Sequence, residues 1–168
     1  MKTLAIHPKD SSTDMLSDVY SDKDWTVIKT NISKSKLKEL IKSHDRIVML
    51  GHGTEKGLIG FGKFVIDSTF VYLLREKQCV CIWCNADVFV KKYKLKGFYT
   101  GMIISEYEEA VDNCVKTNSY WINESNIDFA NAIKNSIDSP NMLEMAKLLY
   151  DGNSSVVEFN KNNLYYEK

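Results

Sequence analysis

Two side chains in this sequence are suited to covalent chemistry: the histidine of "GHGTEKG" (Gly51–Gly57) and the cysteine that closes the apolar run "CVCIWC" (Cys79–Cys84). A thiol becomes a strong nucleophile when a neighbouring imidazole takes its proton. His52 and Cys84 together would therefore supply a general base and a nucleophile. Gly53, beside His52, offers a backbone N–H that no Cβ crowds. With the Cys84 N–H it would form an oxyanion hole, which contributes about 3–4 kcal/mol to lowering an acyl-transfer barrier. Trp83, Asn85 and Asp87 flank Cys84 and are the candidate walls of a substrate pocket.

Residues so far apart in sequence meet only if the fold brings them together. "RIVML" (Arg46–Leu50) and "CVCIWC" are continuous apolar runs, as central parallel strands are. In open parallel sheets the carboxyl ends of strands line one edge, where ligand sites gather. His52 follows the first run and Cys84 ends the second, which places both at that edge.

The remaining elements alternate in the same way. "TLAI" (Thr3–Ile6) and "WTVIKT" (Trp25–Thr30) read as strands, with a loop or short helix in "SSTDMLSDVYSDKD" between them. "SKSKLKELIKSH" is a helix capped by Ser33 or Ser35. "GLIGFGKFVI" reads as a small hairpin, and Asp67 or Ser68 caps a helix in "TFVYLLREK". "FYTGMIIS" (Phe98–Ser105) reads as a strand. "EYEEAVDNCVK" is a helix with Ala110, Val111, Cys114 and Val115 on one stripe. "NESNIDFANAIKNSI" and a segment from Ser139-Pro140 to Gly152 are further helices, and "SVVEF" and "NLYYE" are expected to pair as a terminal hairpin. The expected fold is α/β, a three-layer sandwich with a central mostly parallel sheet and helices on both faces, in one domain over 1–168.

Composition excludes some functions. Lys+Arg and Asp+Glu number 22 each, so the basic footprint of a general nucleic-acid binder is missing. No apolar run reaches membrane-spanning length, and "MKTLAIHPKD" lacks a signal-peptide core. The chain reads as cytoplasmic, with no membrane partner and with four reduced cysteines in place of a disulfide framework.

The order strand, His-Gly, glycine-bearing hairpin, helix opening at Asp67, apolar strand, Cys resembles the caspase-like cysteine peptidase fold, the group of caspases, gingipains, clostripain, legumain, separase and CHAT domains. The likeness runs through "RIVMLGHGTEKGLIGFGKFVIDSTFVYLLREKQCVCIWC" and continues into "GFYTGMIISEYEEA". It implies a caspase-like fold, His52 as acid and base, Cys84 as nucleophile, and Gly53 with Cys84 as oxyanion donors. The implied function is a cysteine endopeptidase acting on a peptide or protein substrate without cofactor or metal. Caspases carry Gln-Ala before the cysteine and Arg-Gly after it, whereas this chain has Ile82-Trp83 and Asn85-Ala86. That departure supports an alternative, a catalytically inactive binding or regulatory module of the same fold.

Other readings compete at the same residues. The glycines of "GHGTEKG" could cradle a phosphate, in a flavodoxin-like nucleotide or small-molecule binder, yet the segment fits neither G-x-G-x-x-G nor the P-loop. Zinc sites need a second distant ligand pair, which "CVCIWC" lacks. Cys79 and Cys81 alternate onto one strand face and read as core thiols, with Cys84 on the opposite face. His7 and His44 read as surface or strand-end residues, and Lys91, Lys92, Lys94 and Lys96 as a solvated basic loop.

Overall fold

A computed structural model describes residues 1–168. In chain order, β1 (Thr3–Ile6) leads through a 3₁₀ helix (Ser11–Tyr20) to β2 (Thr26–Ile28), α1 (Lys34–Lys42) and β3 (Arg46–Leu50). A small antiparallel sheet follows: β4 (His52–Thr54), β5 (Gly57–Gly60) and β6 (Lys63–Ile66). A 3₁₀ turn (Ser68–Phe70) runs into α2 (Val71–Leu74), then β7 (Gln78–Ile82), α3 (Ala86–Tyr93) and β8 (Lys96–Thr100). Helices α4 (Tyr107–Asp112), α5 (Ser119–Ser136), α6 (Met142–Leu149) and α7 (Ser155–Lys161) precede β9 (Leu164–Glu167).

The main sheet has the order β2-β1-β3-β7-β8-β9. Its first five strands are parallel, and β9 pairs antiparallel to β8. Continuous apolar runs make this possible, because alternate residues enter two different cores. Leu4, Ile47, Met49, Cys79 and Cys81 face the layer of α1, α2 and α3. Ala5, Val48, Leu50, Val80 and Ile82 face the 3₁₀ helix, α5, α6 and α7. The expected α/β sheet with helices on both faces is therefore present. Ser33 caps α1 and Asp67 caps the turn before α2, each accepting a backbone N–H. No helix is long and apolar enough to cross a membrane.

Several local expectations are overturned. "SVVEF" lies in α7 and not in a hairpin: Ser154 caps it and Val156 and Val157 are buried. The strand propensity of two valines yields to that cap and to tertiary packing. The lysine-bearing segment after Cys84 is largely α3, whose Phe89 and Val90 enter the core while Lys91 pairs with Asp87. The strand expected to run to Ser105 stops at Thr100, because its partner β7 ends at Ile82 and offers no further ladder. Cys114 is not on a buried stripe. It lies beyond α4, exposed, with φ 56°.

His7 and His44 are buried, not superficial. The His7 ring bonds Tyr20 Oη through Nδ1 at 2.8 Å and Thr13 Oγ1 through Nε2 at 3.2 Å. It thereby fastens the 3₁₀ helix to the end of β1. Burial, with the Lys29 charge second, lowers its pKa from the ordinary 6.5 to about 4. Below pH 6.5 the unfolded chain binds a proton that the folded chain refuses, so stability falls with pH until the folded imidazole also titrates near 4. The loss across that window is about 3 kcal/mol. Urea unfolding at a series of pH values should show this slope in the wild type and a flatter one in His7→Gln; parallel curves would refute a neutral buried His7.

Candidate functional site

Strand register builds the site. In the β3–β7 pair Leu50 lies opposite Ile82. His52 and Cys84 each stand two residues beyond that last pair, so both arrive at the same level of the carboxyl edge. They also continue the parity of Val48, Leu50, Val80 and Ile82, which face the 3₁₀ helix and α5. Both line one small cavity on that side, with Met15, Ser105 and Asn126 among its other walls. The cavity holds about 30 Å³, room for a water or two and not for a peptide.

Cys84 sits on a sharp strand-to-helix turn. Asn85 takes a left-handed conformation at φ 64°, which asparagine tolerates better than other non-glycine residues, and α3 begins at the next residue. The turn is braced by Asn85 N–H donating to Gly101 O at 3.2 Å and by Thr100 Oγ1 donating to Trp83 O at 2.9 Å. The Cys84 N–H itself takes part in none of the turn's backbone hydrogen bonds, as an oxyanion donor requires.

The thiol is bonded away from the histidine. The single Cys84 S–H has two acceptors within reach, Ile103 O at 3.6 Å and Glu109 Oε1 at 3.8 Å. Burial pushes its pKa up to about 11; the Ile103 contact opposes the rise, while the Glu109 and Glu106 carboxylates add to it. The resting sulfur is thus a protonated thiol. Glu109 also organises the neighbouring turn, its Oε2 accepting from Ser105 N at 2.7 Å, Ser105 Oγ at 3.0 Å and Glu106 N at 3.0 Å. Beyond β8 no ladder holds Ile104, and buried Asn160 on α7 replaces one. Its Oδ1 accepts from Ile104 N at 2.8 Å and its Nδ2 donates to Ile104 O at 3.0 Å.

His52 opens β4, paired opposite Ile59. Its Nε2 lies 2.6 Å from Ser12 Oγ, whose hydroxyl donates to Asp10 Oδ1 at 2.6 Å. Gly53 is glycine for a packing reason: a Cβ there would fall 2.1 Å from Trp83 Cδ1. Trp83 is buried, donates Nε1–H to Thr54 O at 3.0 Å and meets Phe89 edge-on at 5.8 Å. It locks the small sheet onto α3 and is mainly a core residue, although it touches the cavity.

Of the residues expected at the site, the structure brings His52, Cys84 and Trp83 onto one cavity and sets Gly53 beneath Trp83. Asn85 and Asp87 are not among its walls. Sequence reasoning missed Asp10, Ser12, Glu109 and Asn160. Asp10-Ser11-Ser12 does carry a helix-cap signature just past a strand end, and β1 neighbours β3. No local pattern announces Asn160.

An open groove of about 720 Å³ adjoins the cavity, and the two share Met15, Ser105 and Asn126 as walls. Ser12 lines the groove as well. No group of three or more His, Cys, Asp and Glu side chains is placed to hold a metal ion. No family model matches this chain, and neither a curated protein nor a solved structure does.

Glu109 raises the Cys84 pKa, so Glu109→Gln should lower it from about 11. Each pH unit by which it falls raises the thiolate fraction at pH 8 about tenfold. Alkylation rates followed against pH by mass spectrometry should show faster modification of Cys84 in the variant. An unchanged profile would mean that the carboxylate does not set the thiol's charge.

Proposed function

We propose that this chain is a cysteine endopeptidase with a caspase-like arrangement, in which Cys84 is the nucleophile and His52 the acid and base. One observation carries the reading: the β3–β7 register delivers a thiol and an imidazole to one cavity at the carboxyl edge of a parallel sheet. The substrate is an extended peptide or protein segment lying in the groove beside Met15, Ser105 and Asn126. The cavity must widen between those walls for a carbonyl to reach the sulfur. All four cysteines are unpaired, which suits the reducing cytoplasm.

In this reading the Cys84 S–H proton passes to the His52 imidazole as sulfur bonds the carbonyl carbon. The tetrahedral oxyanion is met by the Cys84 N–H, with Gly53 N–H as the second expected donor. The C–N bond then breaks, and the leaving amine takes the proton from the imidazolium. Water adds to the thioester while giving a proton to His52, and as the C–S bond breaks the departing sulfur takes that proton back from the imidazolium, restoring the thiol and the neutral ring. A resting pKa of about 11 fits transfer of the proton during attack, and not a preformed thiolate–imidazolium pair.

A second reading has its own support. The thiol's bond to a carboxylate is the opposite of the electropositive surroundings that activate cysteines. It favours a catalytically silent module that binds a peptide in the same groove.

Incubation with a peptide library separates the two. The peptidase should cleave members of the library, and Cys84→Ala and His52→Ala should lose that cleavage by at least about a thousandfold. Full cleavage by Cys84→Ala would sink the peptidase reading. Binding of peptides without cleavage, with Cys84 inert to alkylating reagents, would establish the silent module.

A further inference from the structure

We propose that Ser12 and Asp10 are positioning residues for His52, fixing which ring nitrogen serves as the base and steadying the charge that forms on it. The inference rests on the peptidase reading for its catalytic meaning and on geometry for its content.

The proton count decides the arrangement. An ionised carboxylate only accepts hydrogen bonds, and a serine hydroxyl has one proton to donate. Asp10 Oδ1 accepts the Ser12 N–H at 2.9 Å and the Ser12 hydroxyl proton at 2.6 Å. These two bonds, the hydroxyl one foremost, hold the Asp10 carboxyl below its usual range, so it is ionised at neutral pH. Ser12 Oγ therefore has only lone pairs to offer His52 Nε2, 2.6 Å away. Nε2 must carry the ring proton. A neutral imidazole has one N–H, which leaves Nδ1 as the bare nitrogen able to take a proton from a thiol.

The same count excludes Ser12 as a nucleophile activated by His52, although the two atoms are within hydrogen-bond distance and Ser12 lines the groove. Its proton is directed at Asp10. When Nδ1 accepts the Cys84 proton, the ring becomes a cation that still donates from Nε2 into Ser12. Asp10, with Oδ1 3.9 Å from Nε2, lies close enough to favour that cation directly. Removing the partner that holds a catalytic histidine in its correct tautomer lowers kcat by up to about 10⁴-fold.

The elements explain why these two residues can act. Asp10 caps the 3₁₀ helix and Ser12 lies in its first turn. That helix is fastened to the end of β1 by His7, through Tyr20 and Thr13. β1 is the immediate neighbour of β3, which ends two residues before His52. The relay is thus attached to the strand beside the one that delivers the base.

The test reads the tautomer without substrate and the rate with it. Imidazole ¹⁵N shifts of the labelled protein, with His52 assigned from a His52→Gln spectrum, should show protonated Nε2 and bare Nδ1. Ser12→Ala should mix the two tautomers, and Ser12→Thr, which keeps the hydroxyl, should restore the first. On a peptide that the wild type cleaves, Ser12→Ala and Asp10→Asn should lower kcat by at least about 10-fold with KM little changed. Melting temperatures near the wild type's confirm that the variants are folded. A protonated Nδ1 in the wild type, a tautomer indifferent to Ser12→Ala, or an unchanged kcat in both variants would overturn the proposal. The NMR result stands whether or not any peptide is cleaved, so its failure is distinct from failure of the peptidase reading.

Discussion

The parallel register of β3 on β7 is the constraint on which the rest depends. Side chains on a strand alternate between two faces, so a slip of one residue would send every buried group to the wrong core. Here the register is over-determined, with one apolar set from each strand committed to the α1–α3 layer and the other to the α5 side. The same commitment that buries Leu50 beside Ile82 presents His52 level with Cys84. The positions of the two reactive groups follow from core packing and need no contact between them. Indeed the thiol's hydrogen bonds go elsewhere.

Each end of the site has a carboxylate beside it. Asp10 stands behind the imidazole, its Oδ1 3.9 Å from Nε2. Glu109 stands against the thiol, where negative charge disfavours an anion. Burial first, and the Glu109 and Glu106 carboxylates after it, hold the proton on sulfur.

Much of the frame was legible in the sequence because it rests on short-range pattern. The runs "RIVML" and "CVCIWC" are apolar throughout, as doubly covered strands must be, and their ends bear His52 and Cys84. What was not legible depends on contacts between distant segments. α3 begins immediately after a left-handed Asn85, and Lys91, Lys92, Lys94 and Lys96 masked the buried Phe89 and Val90. α7 carries β-branched residues that mimic a strand until Ser154 is seen as a cap. His7 looked superficial because its partners Tyr20 and Thr13 come from the following helix. Ser12 reaches His52 across 40 residues, a pairing that only the adjacency of β1 and β3 creates.

The clamp of Asn160 on Ile104 spans 56 residues and ties the segment beside Cys84 to the last helix. Contacts within the β3–β7–β8 sheet close shorter loops than this one and can form earlier in folding. Without α7 the Ile104 N–H and C=O, which no ladder reaches, lose both their partners. Asn160 is also a wall of the Cys84 cavity, so access of a thiol reagent to Cys84 reports whether α7 is seated.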